Sequence, residues 1–275
     1  MPFIRIFIIG LSTLFILQGA EKEIVSIPSL GMGKSFNALV FVPQEYKKSN
    51  LYYSTIYLLH GFGGDFALWS KIAPLESYAD KYQVIIVCPD GNYSSWYVNS
   101  DVKKASNFDS YISRDVLGFI DKNYRTWDKA SGRAIIGTSM GGHGATTLLA
   151  KHPDLFCGAG SISGIMDLTE FPGHWNMDEI FGDYRKNKLS WTNNSFYKLL
   201  ENLQQKHIWL ILDCGVSDFA LPGNRRTHEK LISYGIPHDY YERPGNHTIQ
   251  YVHDCAEFHF LYFSNKLLKP GVKQS

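Results

Sequence analysis

Residues 133–150, RAIIGTSMGGHGATTLLA, join an apolar run, one serine ringed by glycines, and a row of small apolar residues. The β-branched run at the start predicts a strand, and GHGATTLLAKH, residues 142–152, predicts a helix. Between them, Gly137-Thr138-Ser139-Met140-Gly141 fits the pattern Gly-x-Ser-x-Gly. A serine on so sharp a strand-to-helix turn takes a strained backbone conformation. Side chains two residues to either side would collide there, so glycine stands at both positions. The turn lifts the hydroxyl above the sheet and sets it at a helix N-terminus, where free N–H groups and the helix dipole favour developing negative charge. Gly142, Gly144 and Ala145 let that helix lie close on the sheet.

The rest of the chain supplies a sheet for this turn to rise from. Short β-branched or aromatic runs recur at 36–43, 54–61, 82–90, 133–140, 156–163, 207–215 and 238–245, most of them ending in Gly, Pro or Asp. Helix-compatible stretches lie between them: FALWSKIAPLESYADK, SYISRDVLGFIDKNY, GNRRTHEKLISYG and, last, YVHDCAEFHFLYFSNKLL. Strands alternating with helices predict an α/β fold, with a mostly parallel sheet buried on both faces by helices. Sites in such sheets form at the carboxyl ends of the strands. With 275 residues and 44% hydrophobic content, residues 21–275 suffice for one large domain. Residues 164–195 break the rhythm, being rich in aromatic and polar residues without periodicity. They are expected to form an excursion over the functional edge of the sheet.

A serine hydroxyl is a poor nucleophile at neutral pH and needs a base that is itself oriented by an acid. Where the nucleophile sits on this kind of turn, the acid and then the histidine follow it in the chain. Asp218 comes just after the predicted strand HIWLILDCG, and His247 just after HDYYERPG, which puts both on the sheet edge that carries Ser139. Asp213 is a rival acid, but it lies inside the strand end, where a carboxylate caps or hydrogen-bonds the loop. His253 and His259 fall in the terminal helical pattern, and His207, His228 and His238 at element starts or in a helix. An oxyanion would be held by two main-chain N–H groups: that of Met140, after the nucleophile, and that of Phe62, in the loop LLHGFGGD after an early strand. His60 is read as holding that loop.

The N-terminus differs from the rest. Arg5, an apolar stretch from Ile6 to Leu17, and then Gly19 and Ala20 before the charge at Glu21 form the pattern of a secretory signal peptide over residues 1–20. Its apolar core is shorter than the roughly 20 residues a membrane span needs, so an exported protein without stable membrane insertion is expected. A net charge of +1 argues against a nucleic-acid partner and for a neutral or mildly polar small substrate. Cys88, Cys157, Cys214 and Cys255 each stand alone in apolar surroundings, with no CxxC pair to suggest zinc. They are read as core residues, although export permits disulfides and three pairings are open. The expected chemistry calls for no metal and no organic cofactor, and sequence leaves the oligomeric state open.

Taken together, IYLLHGFGGDFALW, VIIVCPDGNYSSWYVNS, RAIIGTSMGGHGA, HPDLFCGAGSISG, LDCGVSDF and PGNHT resemble the esterase D and feruloyl-esterase-like family of α/β-hydrolases, over roughly residues 24–268. That family includes feruloyl and acetyl esterases, tributyrin-type esterases, S-formylglutathione hydrolases and mycolyltransferases. The resemblance implies an α/β-hydrolase fold and acyl transfer through a serine. Its triad and oxyanion positions fall on Ser139, Asp218, His247, Phe62 and Met140. An intact set of this kind argues against a binding protein that kept only the fold. The implied substrate is a small ester or an acylated oligosaccharide, with acyl transfer to a sugar or thioester hydrolysis as the alternatives. Trp96, Tyr97, Trp175 and Trp191 are the aromatic residues expected near the cleft, where they could stack on a sugar ring or a feruloyl group.

Overall fold

A computed structural model describes residues 19–273; the signal-peptide reading therefore falls almost wholly outside the described residues. Eight strands form one sheet: β1 (Glu21–Ser29), β2 (Lys34–Val42), β3 (Thr55–Leu59), β4 (Ile85–Pro89), β5 (Arg133–Thr138), β6 (Gly158–Ile162), β7 (Trp209–Gly215) and β8 (Asp239–Arg243). Their order is β1-β2-β4-β3-β5-β6-β7-β8. β1 pairs antiparallel with β2, and β2 with β4, while every pairing from β4 through β8 is parallel.

Burial on both faces follows from the two-residue period of a strand. Along β3, Ile56 and Leu58 join one core with Trp69, Tyr78, Phe260 and Phe263. Tyr57 and Leu59 point the other way, into a second core with Leu148, Leu149, Tyr111 and Ile112. The helix Ile249–Ser264 and the pair Leu68–Ile72 and Leu75–Tyr82 cover the first face. The helix Met140–Lys151, the helical run 108–123 and the helix Leu221–Ser233 contribute to the second.

The seven strand runs read from the sequence all appear, and β1 is the addition. EKEIVSIPS carries three charges and a proline, which lowers its strand propensity. As an edge strand it tolerates both, because only one side of its backbone must pair. The stretch 66–81 splits into two helices at Ala73-Pro74, where proline cannot donate to the turn before it. The excursion contains the short helices Met177–Phe181 and Lys188–Thr192, and its Met166, Leu168, Ile180, Phe181 and Trp191 are buried in the second core. The four cysteines are buried and unpaired. No helix among the described residues is long and apolar enough to cross a membrane.

Candidate active site

Five parallel strands deliver the candidate residues to one edge. β3 runs into His60-Gly61-Phe62, β5 into Ser139, β6 into Ser163, β7 into the turn holding Asp218, and β8 into the loop holding His247. Ser139 adopts φ 55° and ψ −116°, a strained conformation for a residue with a Cβ. The glycines around it are sterically required. A Cβ on Gly137 would stand 2.0 Å from the Gly141 carbonyl oxygen, and one on Gly141 would stand 2.2 Å from that of Leu59. Both obstacles are backbone, which cannot step aside. Gly137→Ala is accordingly expected to cost about 3 kcal/mol of stability, lowering the unfolding midpoint by roughly 6–12 °C. A midpoint unchanged in a thermal melt would contradict this packing.

Ser139 Oγ lies 2.9 Å from His247 Nε2. His247 Nδ1 lies 2.9 Å from Asp218 Oδ2 and 3.0 Å from Oδ1. With Nδ1–H donating to the carboxylate, Nε2 is left as an acceptor facing the serine hydroxyl. The loops that carry Asp218 and His247 are joined directly: Ser217 N–H donates to the Gly245 carbonyl at 2.9 Å, and a Cβ on Gly215 would meet that same oxygen at 2.5 Å. Burial alone would push the Asp218 carboxyl up. The hydrogen bonds from His247 and from the Ala220 amide outweigh it and hold the carboxyl below its usual range, so it carries the negative charge an imidazolium needs. The rival Asp213 is also fully buried, but its oxygens are taken by Arg243 Nε at 2.7 Å and by the Tyr251 hydroxyl.

The two candidate oxyanion donors are backbone amides. Met140 is the first residue of its helix, so its N–H has no intrahelical acceptor. Phe62 sits in a loop tied on both sides: Gly63 N–H donates to Tyr93 O at 2.8 Å, and Gly64 N–H to Gly61 O at 3.1 Å. His60, 1% exposed, holds this loop as expected. Its Nδ1 donates to Gly61 O at 2.8 Å and its Nε2 accepts the Gly91 N–H at 2.8 Å.

Ser139 and His247 open into a cavity of about 350 Å³. Leu68, Ile72, Ile249 and Val252 give it an aliphatic wall, and Trp96, Trp175 and Phe219 an aromatic one; among the described residues, His247 is the one titratable side chain lining it. The positions of the four expected aromatic residues differ. Trp96 and Trp175 line the cavity, joined by a hydrogen bond from Trp96 Nε1 to Trp175 O at 3.2 Å. Tyr97 and Trp191 do not line it, and for these two the expectation is corrected. Tyr97 is wholly buried beneath the loop that follows β3, its hydroxyl donating to His60 O at 3.1 Å and its ring filling the space a Cβ on Gly144 would need. Trp191 is buried within the excursion, donating to Gly182 O at 2.9 Å.

The sequence reading missed the aliphatic wall and, beside the catalytic candidates, Phe219 and Ser163. Phe219, directly after Asp218, stacks on Trp175 with ring centroids 5.4 Å apart and sits over His247 at 4.5 Å. Ser163 lines the cavity at the end of β6. Its place as the last residue of the strand run 156–163, at the carboxyl end where sites form, was the available signal for it. Among the described residues, no group of three or more His, Cys, Asp or Glu side chains is gathered in a way that could hold a metal ion.

Comparison with known proteins agrees with this architecture. An esterase of Mycobacterium tuberculosis is 29% identical over 238 residues, 77% of this chain and 52% of its own length, so the chain spans about half of that relative. An acetyl esterase of Caldicellulosiruptor saccharolyticus is 26% identical over 205 residues, covering 70% of this chain and 76% of that one. A solved ferulic acid esterase superposes with a TM-score of 0.79 at 22% identity, over 91% of this chain and 99% of that one, a likeness of fold. The sequence profile of the family described as "Putative esterase" matches residues 29–255, and the chain belongs to that family.

Proposed function

We propose that the protein is an exported serine carboxylesterase acting on short-acyl or aryl esters, acetyl or feruloyl groups of plant polysaccharide being the first candidates. The observation that carries this reading is the unbroken chain Ser139 Oγ, His247 Nε2, His247 Nδ1, Asp218, with each gap at 2.9 Å. In the proposed reaction Ser139 attacks the ester carbonyl while His247 takes the hydroxyl proton. Asp218 steadies the resulting imidazolium, and the amides of Phe62 and Met140 receive the oxyanion. His247 then passes its proton to the departing alcohol, and in the second half it activates the water that releases the acid.

The cavity lining supports a neutral ester, since among the described residues it carries no lysine, arginine or carboxylate that would pair with a charged substrate. Its aromatic wall suits an aryl group or a sugar face. Export rests on the N-terminal pattern Arg5, Ile6–Leu17, Gly19-Ala20. Similarity to relatives named esterase and acetyl esterase supports the reaction type.

The test is hydrolysis of 4-nitrophenyl acetate, butyrate and octanoate, methyl ferulate and an acetylated xylo-oligosaccharide by residues 21–275. Turnover of ferulate or acetylated oligosaccharide is the expected result. Turnover confined to nitrophenyl esters would remove the polysaccharide assignment. With excess sugar present, acyl-sugar forming faster than free acid would convert the reading to acyl transfer, and inactivity on all substrates would end it.

A further inference from the structure

Ser163 follows β6 and is locked to the nucleophile by backbone. Ser139 N–H donates to the carbonyl of Ile162 at 3.0 Å, and Ser163 N–H donates to Asp213 O at 2.8 Å. Its φ is 53°, in the left-handed region that disfavours any residue with a Cβ. The turn that imposes this is closely packed. A Cβ on Gly164 would lie 2.1 Å from Ser161 Oγ, and the Gly164 carbonyl accepts Asn224 Nδ2 at 2.9 Å. Glycine would relieve the strain at 163, yet the chain carries serine there.

The hydroxyl it retains makes no hydrogen bond of ordinary geometry, although it lies close to two acceptors. Ser163 is 2% exposed and lines the cavity, and its Oγ has no hydrogen-bond partner among the described residues. A buried orphan hydroxyl on a strained backbone beside a reactive centre requires an explanation. Its neighbours are the Asp218 carboxylate and the Cys214 thiol. Burial pushes the Cys214 thiol up, so it stays protonated and offers only a weak acceptor. Asp218 is the stronger acceptor and has room. Oδ1 takes the Ala220 N–H at 2.8 Å, and His247 Nδ1 is shared between Oδ1 and Oδ2, which leaves Oδ2 with a free lone pair.

On the reading of Ser139, His247 and Asp218 as a triad, we propose that Ser163 is a positioning residue of the proton relay, turning its Oγ–H onto Asp218 Oδ2 as His247 takes up the serine proton. No proton is transferred from Ser163. The added bond keeps the carboxylate from rotating off Nδ1 when the carboxylate–imidazolium pair forms, and a hydrogen bond to a charged group at that moment is among the stronger ones.

Two substitutions separate the hydroxyl from the strain: Ser163→Gly removes both, and Ser163→Ala removes the hydroxyl alone. With 4-nitrophenyl acetate, both are expected to lower kcat about tenfold, with KM changed less than about twofold. The unfolding midpoint of Ser163→Gly should be no lower than the parent's. Activity that follows stability instead, with Ser163→Gly as fast as the parent, overturns the proposal, since only the backbone would then matter. Because the glycine variant relieves strain, it decides the matter even if the alanine variant fails to fold. A parent that hydrolyses no ester and is not labelled by an organophosphonate overturns the triad reading and this proposal with it; an active parent beside a fully active Ser163→Gly overturns this proposal alone.

Discussion

Ser139→Ala is expected to lower ester hydrolysis by up to about a millionfold, with the unfolding midpoint within roughly 2 °C of the parent's. Activity and stability separate here because of what the substitution leaves behind. Alanine keeps the Cβ that must occupy φ 55° and ψ −116°, so the strain of the turn is unchanged. The close contacts of Gly137 and Gly141 are backbone contacts and do not involve the hydroxyl. What goes is the one atom placed 2.9 Å from His247 Nε2. Without it no acyl intermediate forms. The amides of Phe62 and Met140 can still polarise a bound carbonyl, so a residue of about a thousandfold over water can survive. The measurement is kcat/KM on 4-nitrophenyl acetate, together with mass labelling of the Ser139 peptide by an organophosphonate. Retention of more than about 1% of the parental rate would remove Ser139 from the role of nucleophile.

The strained turn at Ser139 is legible in the sequence because its constraint is local. Gly137, Ser139 and Gly141 must satisfy one turn, and the strand and helix flanking it are contiguous in the chain. Asp218 and His247 are 79 and 108 residues downstream of the serine, yet Asp218 lies just past the plainly apolar run HIWLILDCG and His247 just past the shorter, more polar HDYYERPG, and a parallel sheet puts both ends on one edge. Direction along a parallel strand is a property the sequence carries.

Depth is not such a property. Trp96 and Tyr97 are adjacent, and both take left-handed φ values of 54° and 56°, yet one lines the cavity and the other is sealed under the loop that follows β3. Nothing in SSWYV distinguishes them, because the difference is made by Gly144 on a remote helix, whose missing side chain gives the Tyr97 ring its space. Trp191 likewise looked available in an aperiodic segment, and is buried because that segment carries its own apolar side chains back into the second core. Phe219 was overlooked for the opposite reason: beside an acid in a turn it has no periodic context, and its partners His247 and Trp175 come from two other segments. β1 was missed because an edge strand needs little apolar patterning to pair with β2.

Asp218→Asn is expected to lower kcat about ten-thousandfold while leaving the fold and the binding cavity in place. The two side chains have the same shape, and the asparagine Oδ1 can still accept the Ala220 N–H that Asp218 holds at 2.8 Å. The change lies in the hydrogen-bond code. The carboxylate accepts only, which obliges Nδ1 of His247 to carry the proton and leaves Nε2 bare toward Ser139. An asparagine amide presents N–H to Nδ1, and the imidazole answers by moving its proton to Nε2. A protonated Nε2 cannot take the serine proton, so a base in the right place holds the wrong tautomer. The loss of negative charge also removes the partner that stabilises the imidazolium. Asp213 cannot take over, because Arg243 and Tyr251 already occupy both of its oxygens. Steady-state kinetics on 4-nitrophenyl acetate, with KM compared against the parent, decide the outcome. A fall in kcat of less than about tenfold would mean that the Asp218 carboxylate does not set the protonation state of His247, and the proton relay proposed for this site would have to be abandoned.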